Sequence, residues 1–303
     1  MMAESLIRGV SDTAFMVAAW RAAESERPDA LFHDPFAARL AGEHGRAIVA
    51  SLSRGFLGGW QVVIRTVIID ELIQKAVAAG TDTIVNLGAG LDARPYRMEL
   101  PAELRWIEVD YPHVIDWKAD KLAGDRPRCR LERIKLDLAD LAARRTLFAS
   151  LGASSRKILL LTEGVLPYLT TDAVGALADD LRKIRGKIRG GNTEGGVDVA
   201  WIVDYFSPQA MRYRRRLSAT RQMHQAPFQF APADWFAFFA HHGWKPAEVQ
   251  YIADEAARRR RPIPLPPVLR LMVKVRRLFS SPARRDAFQK FAGYVLLKPT
   301  KDA

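Results

Sequence analysis

The segment Thr83–Gly90, TIVNLGAG, decides the fold class of this chain. Its first five residues are mostly β-branched or apolar and run directly into a glycine-containing loop, which is the pattern of a buried strand that ends in a tight turn. Similar apolar runs recur downstream, and stretches of helical spacing separate them. Strands that alternate with helices predict an α/β fold with a mostly parallel sheet.

Each predicted strand leads into glycine or an acidic residue. The strands are Thr83–Leu87, Arg105–Val109, Leu131–Leu136, Ile158–Thr162 and Val197–Val203, and the residues after them are Gly88 and Gly90, Asp110, Asp137, Glu163 and Asp204. Ligands of an open α/β sheet bind at the carboxyl ends of its strands. One acidic residue in this position can simply cap the next helix. Four successive strand ends of this kind favour one shared binding crevice.

The residues at these strand ends suit a ligand that contains adenosine. Gly88 and Gly90 let the backbone approach a ligand closely, and Asp110 lies 20 residues beyond Gly90, the spacing of a carboxylate that binds ribose hydroxyls. Asp137 can accept the adenine amino group, and Glu163 can face a cationic part of the ligand. The loop also fits the dinucleotide fingerprint, but the charges and the proline that follow it disfavour a nicotinamide cofactor.

Three motifs carry a resemblance to a known family. They are VNLGAGLDAR at Val85–Arg94, EVDYP at Glu108–Pro112 and EGVLPYL at Glu163–Leu169. In this order they resemble the leucine carboxyl methyltransferase-like family of S-adenosylmethionine-dependent O-methyltransferases. The likeness runs from about Thr13 to Thr170 and also includes AAESERP at Ala22–Pro28, the Asp34–Pro35 step, and Arg65, Thr66 and Asp70.

The resemblance implies a class I methyltransferase fold. This Rossmann-like α/β fold has a seven-stranded sheet, mostly parallel with an antiparallel last strand. Residues 1–80 are then an N-terminal helical lid, and residues 81–303 are the S-adenosylmethionine-binding domain, with a basic, Pro-rich insertion at about 254–287. Within the lid, we expect a helix to begin at Asp34–Pro35, where an N-cap residue precedes proline.

The resemblance also implies which residues bind the cofactor, S-adenosylmethionine. Arg65 binds the methionyl carboxylate, Gly88 and Gly90 the methionyl backbone, Asp110 the ribose, Asp137 and Leu138 the adenine, and Glu163 the amino-acid end. The sequence gives an independent argument for Arg65, since an arginine within the apolar stretch Val62–Ile69 is costly to bury without an anionic partner. The alternative is that Arg65 lies on the solvent face of its helix.

The activity that we expect is O-methylation of a small molecule, with a carboxylate as the acceptor group. A carboxylate is already ionised at neutral pH, and the sequence offers no convincing general base. Tyr168 and Arg21 are the candidates for orienting an acidic acceptor. A phenol or another hydroxyl group is the alternative acceptor, and it would need a base such as His113 or Glu163.

Composition limits the other possibilities. The chain has 303 residues, 49% hydrophobic and 26% charged, which is enough to bury a large core. The single cysteine, Cys129, excludes an intramolecular disulfide, and the histidines are not spaced as metal ligands. We therefore expect no metal site and a reducing compartment, the cytoplasm. We also expect neither a transmembrane helix nor a signal peptide, because no apolar stretch is long enough.

The net charge of +12 is concentrated near the C-terminus. Residues 254–303 hold 13 Lys and Arg but four Asp and Glu, and we expect a basic face that is solvated or packed on its own domain. Two alternatives remain. Residues 268–279 place apolar and basic side chains on different helix faces, as in a non-catalytic or membrane-surface protein. Arg258–Arg261 can contact nucleic acid, although no nucleic-acid-binding module accompanies them.

Overall fold

The protein is built around one seven-stranded sheet. The computed structural model describes residues 6–7, 9–52, 58–184, 196–218, 226–269, 271–272 and 279–300. The strands are β1 (Thr83–Leu87), β2 (Arg105–Asp110), β3 (Arg130–Lys135), β4 (Lys157–Thr162), β5 (Asp198–Phe206), β6 (Trp244–Tyr251) and β7 (Ala292–Pro299). Their order is β3-β2-β1-β4-β5-β7-β6. β7 is antiparallel to both neighbours and the other pairings are parallel, which confirms the class I methyltransferase arrangement expected from the sequence.

Helices cover both faces of this sheet. Among the described residues they are α1 (Val10–Ser25), α2 (Ala37–Ser51), α3 (Gly58–Ala78), α4 (Arg94–Arg97), α5 (Pro112–Lys121), α6 (Leu141–Ser154), α7 (Thr171–Arg182), α8 (Pro208–Ser218), α9 (Trp235–His241), α10 (Ile252–Arg258) and α11 (Pro282–Gln289). The side chains of β1 alternate between two cores. Val85 and Leu87 pack with α6, α7 and α9, whereas Ile84 packs with α3, α8 and α10. The central strands are therefore buried on both faces, as parallel strands usually are.

β5 extends further than the sequence predicts. It continues to Phe206, so Asp204 lies inside the strand instead of after it. The added residues pair with β7, where Asp204 lies opposite Tyr294 and Phe206 lies opposite Ala292. Asp204 and Tyr294 are 90 residues apart in the chain, so no local pattern around β5 indicates the extension.

The first two helices pack closely against each other. A Cβ atom at position 45 would lie 2.5 Å from the carbonyl oxygen of Phe15, so the approach requires Gly45. α2 begins at Ala37, and the prediction that it starts with Asp34 as its cap is wrong. Asp34 is buried, and its carboxylate accepts hydrogen bonds from Arg21 Nε and from the backbone N–H of Phe36. One oxygen of Asp34 therefore keeps a local turn contact before α2, while the other pairs with α1.

Several arginines of the basic segment bind acidic residues of the N-terminal helices. The ion pairs are Arg258–Glu71, Arg259–Glu71, Arg261–Glu24 and Arg261–Asp29. In addition, the indole N–H of Trp60 donates to the carbonyl oxygen of Arg261 at 3.0 Å. These contacts fasten α10 and the residues after it to α1 and α3. Arg258, Arg259 and Arg261 are therefore paired within the chain, with residues of the predicted N-terminal lid.

The described part of the predicted amphipathic stretch is exposed. Val268, Leu269, Leu271 and Met272 keep 47–71% of their surface accessible. Arg270 and residues 273–278, which complete the predicted pattern, lie outside the described residues. No helix in the described ranges is long and apolar enough to cross a membrane. Nor do the His, Cys, Asp and Glu side chains of these ranges form a group of three that could hold a metal ion.

A buried ion pair between α5 and β2 provides a test of the fold. Lys118 Nζ lies 2.6 Å from Glu108 Oε1, and both side chains are fully buried. We expect Lys118→Met to lower the free energy of unfolding by about 3 kcal/mol, because Arg133 is then the one cation among the described residues that still pairs with the buried Glu108. The exposed pair between Lys135 and Asp116 is the matched control, and Lys135→Met should cost less than about 1 kcal/mol. Urea unfolding of both variants checks this, and equal losses would contradict it.

Candidate functional site

A cavity of about 630 Å³ lies at the carboxyl ends of β1 to β4. α1 forms part of its wall through Val10, Thr13, Ala14 and Val17. The structure brings the nine predicted site residues to this cavity, namely Arg21, Arg65, Gly88, Gly90, Asp110, Asp137, Leu138, Glu163 and Tyr168. The strand ends therefore form one crevice.

The loop after β1 depends on its glycines. Gly88 and Gly90 have φ angles of +71° and +49°, in the left-handed region that other residues rarely adopt. A Cβ atom on Gly88 would also lie 2.4 Å from Cγ2 of Val165, so the loop passes close to the turn after β4. The loop is fixed from the other side by Asp110, whose Oδ2 accepts a 2.6 Å hydrogen bond from the Gly90 N–H.

Asp110 and Asp137 each combine a structural contact with a place in the cavity wall. The second oxygen of Asp110 accepts a hydrogen bond from the Tyr111 N–H at 2.7 Å. Burial raises the pKa of Asp110, although these two N–H donors act in the opposite direction. Asp137 accepts from the Ala139 N–H at 2.9 Å, the local turn contact that was the alternative to a ligand-binding role. Both carboxylates still line the cavity, so the two roles do not exclude each other.

Arg65 and Glu163 form an ion pair inside the cavity. Arg65 Nε lies 2.9 Å from Glu163 Oε1, and only 16% of the Arg65 side chain is exposed, which excludes a solvent-facing position. The terminal guanidinium nitrogens of Arg65 make no hydrogen bond to the residues that the structure describes. Burial raises the pKa of Glu163, but the positive charges of Arg94 and Arg65 outweigh it, so the net shift is downward. Glu163 therefore stays ionised.

Arg94 is a residue of the site that the sequence reasoning missed. Its guanidinium contacts Glu163, Asp92 and Asp70 at 2.6–2.8 Å, and its side chain is 2% exposed. These three negative charges raise the pKa of Arg94 well above its usual value, against the effect of burial. A signal was present, because Arg94 and Asp92 are the charges that argued against a nicotinamide cofactor. They belong to a buried network that holds Glu163 in place.

A second group of residues without a predicted role lies beside Glu163, at the turn after β4. Asp204 accepts hydrogen bonds from the Tyr294 hydroxyl and the Gly164 N–H, both at 2.9 Å. Burial raises the pKa of Asp204 and the positive charge of Arg65 lowers it. The effect of burial is the larger, so the net shift is upward. Tyr168, which was predicted, stacks on Phe228 with 5.1 Å between ring centroids. The sequence indicates Asp204 at a strand end but not its contact with Tyr294, because the two residues meet through the pairing of β5 with β7.

Two candidates from the sequence are engaged elsewhere. The guanidinium of Arg21 donates to Asp34 and to the carbonyl oxygen of Leu91, and 5% of the residue is exposed. These contacts join α1 to the loop after β1 and lend no support to a contact of Arg21 with the acceptor. His113 is exposed and pairs with Ser11 at 3.0 Å, and it is not among the residues that line the cavity.

Comparisons with known proteins agree with this geometry. Residues 14–182 match the leucine carboxyl methyltransferase family. A protein of Streptomyces avermitilis with the provisional name S-adenosyl-L-methionine-dependent methyltransferase is 32% identical over 269 residues, which cover 86% of this chain and 91% of the relative. A protein of Mycobacteroides abscessus with the same provisional name is 29% identical over 290 residues, covering 84% and 90%.

Solved structures share the fold at low sequence identity. A provisionally named methyltransferase of Thermobifida fusca aligns over 98% of this chain and 96% of its own, with a TM-score of 0.54 and 14% identity. A DUF574 family protein of Streptomyces avermitilis aligns over 95% and 97%, with a TM-score of 0.52 and 15% identity.

The network around Arg94 predicts how stability depends on pH. The pKa values of Asp92 and Glu163 are lowered in the folded state, so their contribution to stability is present above their unfolded pKa values, roughly 4, and is lost as pH falls through the folded ones. Arg94→Met leaves both carboxylates without their main cation and should cost about 3–5 kcal/mol at pH 7. The loss should shrink as pH falls toward 3, because the buried carboxylates of the variant take up protons without the Arg94 charge, whereas those of folded wild type stay ionised and lose stability relative to the unfolded chain.

Thermal unfolding of wild type and Arg94→Met between pH 3 and pH 7 measures this dependence. Arg126→Met, at an exposed arginine, is the control and should change stability by less than about 0.5 kcal/mol at every pH. A pH-independent deficit in Arg94→Met would show that the carboxylates do not depend on Arg94.

Proposed function

Because the chain belongs to the leucine carboxyl methyltransferase family and is an S-adenosylmethionine-dependent methyltransferase, we propose that it transfers the methyl group to oxygen, on a carboxylate of a small acidic molecule. The cavity between the strand ends and α1 has the size of a small-molecule site. Bound S-adenosylmethionine supplies a methyl group on a positively charged sulfur, and this methyl group reacts with a nucleophile aligned behind it.

The residues of the cavity fit the cofactor in charge and in hydrogen bonding. We assign its carboxylate to the terminal nitrogens of Arg65 and its ammonium group to Glu163, so that each ion gains an opposite charge. The ribose hydroxyls are assigned to Asp110, whose oxygens have lone pairs left after accepting two N–H groups. The remaining assignments are Gly88 and Gly90 for the methionyl backbone and Asp137 and Leu138 for the adenine.

The proposal of a carboxylate acceptor rests on one observation: the acidic side chains that line the cavity are already engaged in hydrogen bonds or ion pairs. Among the described lining residues, Asp92, Glu163, Asp110, Asp137 and Asp204 each already accept hydrogen bonds or pair with cations, and no histidine is present. A hydroxyl acceptor must lose a proton during transfer, whereas a carboxylate has none to lose at neutral pH. A site without a free base therefore favours the carboxylate.

A hydroxyl or phenol acceptor is the second candidate, and one contact favours it. The Tyr294 hydroxyl donates to Asp204 within the cavity, and burial raises the pKa of Asp204, so this pair could relay a proton from an acceptor. Against this, burial and the neighbouring Asp204 charge raise the pKa of Tyr294 well above its usual value, which makes a tyrosinate costly. The carboxylate remains the better match.

We also propose that the N-terminal helices exclude water from the reaction, as the lid interpretation requires. Support comes from α1, which lines the cavity and is held at its C-terminal end by the Arg21–Asp34 pair. The cytoplasm is the proposed location. It fits the free Cys129, which is buried and whose pKa burial raises to about 12, so that the thiol stays protonated.

The cofactor assignments predict the effects of two substitutions. Arg65→Ala and Asp110→Ala should each weaken S-adenosylmethionine binding by about 1.5–3 kcal/mol through loss of charge-assisted hydrogen bonds, while both variants stay folded. Isothermal titration calorimetry measures this, with the exposed Asp116→Ala as a control that should bind like wild type. Unchanged affinity in both variants would show that the site is assigned wrongly. In the same experiment, wild type should not bind NADH.

The acceptor proposal predicts the chemistry of the product. Labelled methyl groups transferred to a small-molecule extract should be released by mild alkali, as from methyl esters. Turnover should also stay constant between about pH 6 and pH 9, because the carboxylate is ionised throughout this range. An alkali-stable ether, or a label on nitrogen or carbon, would refute the carboxylate. A rate that rises with pH would favour the hydroxyl acceptor.

A further inference from the structure

Arg214, on α8, is an arginine in the cavity wall that forms no ion pair with any acidic residue the structure describes. The other two arginines that line the cavity, Arg21 and Arg65, each pair with a carboxylate. The only polar contact of Arg214 within the described part of the chain is with Gln61 Oε1, at 3.3 Å. Its charge therefore has no ion-pair partner among the residues that the structure describes.

Two aromatic rings hold this guanidinium. The Cζ atom of Arg214 lies 4.0 Å from the ring centroid of Phe206 and 4.8 Å from that of Phe228. Phe228 in turn stacks on Tyr168. Cation–π contacts engage the faces of a guanidinium, and its N–H donors lie in its plane, so they remain available to a planar acceptor such as a carboxylate.

The surroundings of Arg214 make a bound anion favourable. Burial lowers the pKa of the guanidinium, and the charge of Arg65 acts in the same direction. Tyr168, Tyr294 and Asp204 act in the opposite direction and raise this pKa, but none of them forms an ion pair or a hydrogen bond with Arg214 among the described contacts. A buried cation without a counterion is costly, so a negatively charged ligand would offset that cost.

We propose that Arg214 binds the carboxylate that is methylated, and that Phe206, Phe228 and Tyr168 contact the rest of the acceptor. This assignment rests on the proposed carboxyl methylation. It defines the substrate class as a monocarboxylic acid with an apolar or aromatic body next to its carboxylate, because the wall around the cation is aromatic.

The assignment accounts for every bond and charge that changes during methyl transfer. One carboxylate oxygen pairs with the guanidinium, and the other forms a bond to the methyl carbon. The carbon–sulfur bond breaks, its electron pair stays on sulfur, and no proton is released. The product is a neutral ester, which no longer pairs with Arg214, so the residue favours the acid over its ester.

Binding of model acids tests the assignment without knowledge of the natural acceptor. The probes are benzoate, phenylacetate and hexanoate, each with its amide as a neutral partner, added to protein saturated with S-adenosylhomocysteine. The fluorescence of Trp20 and Trp60, which line the cavity, reports binding. Wild type should bind the acids at least about 10-fold more tightly than the amides.

Variants of α8 separate the charge from the fold. Arg214→Gln should weaken binding of the acids by about 10- to 100-fold and leave the amides unchanged, and Arg214→Lys should retain part of the preference. Arg212→Gln, at an exposed arginine of the same helix, should bind like wild type. Equal affinity of wild type for acids and amides, or equal behaviour of Arg214→Gln and Arg212→Gln, would overturn the assignment.

Stability distinguishes ligand binding from a structural cation–π contact. Arg214→Met should unfold at the same temperature as wild type or higher in the absence of ligand, and benzoate should raise the unfolding temperature of wild type only. A lower unfolding temperature in Arg214→Met, with acid binding kept, would make Arg214 structural. If a labelled methyl ester forms but Arg214→Gln binds the acids as tightly as wild type does, this inference fails and the proposed function stands. If the product is an ether, the proposed function fails first.

Discussion

Glu163 lies between two guanidinium groups, and the arrangement of the cavity depends on this contact. Arg65 reaches Glu163 from α3, and Arg94 reaches it from the first turn of α4. Taking these charges out of water is costly, so the cluster is stable only while each member keeps its partners. Asp70 and Asp92 supply the remaining partners of Arg94. The same contacts join α3, the loop after β1 and the end of β4, so a ligand meets charges that are already in position.

Local sequence patterns were sufficient to predict where β1, β2 and β4 end, to within one residue. Gly88, Asp110 and Glu163 directly follow or end short apolar strands, and parallel strands place their carboxyl ends at one edge of the sheet. The seven-stranded order with its antiparallel last strand came from the resemblance to a family, since no local pattern specifies how β7 inserts between β5 and β6. The position of Arg65 was also predictable, because a cation in an apolar helical stretch needs an anion.

The residues that the sequence could not place are those that depend on distant pairing. Asp204 and Tyr294 meet only because β5 and β7 are neighbours. Arg214 belongs to an arginine-rich helix that resembles a solvated surface, and only its packing against Phe206 and Phe228 brings it to the cavity. At Asp34 the local signal predicted the start of α2 two residues too early, and the side chain combines a turn contact with Phe36 and a buried contact with Arg21 that the sequence did not indicate. The sequence likewise does not show whether the basic residues near the C-terminus contact another molecule or the chain itself. In the structure, Arg258, Arg259 and Arg261 pair with acidic residues of the chain.

Two arginines of the cavity wall, Arg65 and Arg214, differ in how their charge is balanced, and this difference matches the proposed ligands. Arg65 and Glu163 together are neutral, as is the zwitterionic amino-acid end of the cofactor, so each ion can share its contact with an opposite charge. Arg214 has no carboxylate partner among the described residues, and an acceptor with one negative charge would neutralise its positive charge. Methyl transfer turns that carboxylate into a neutral ester and removes its attraction to the guanidinium. On these assignments, a single unpaired charge sets both the binding of the acid and the release of its ester.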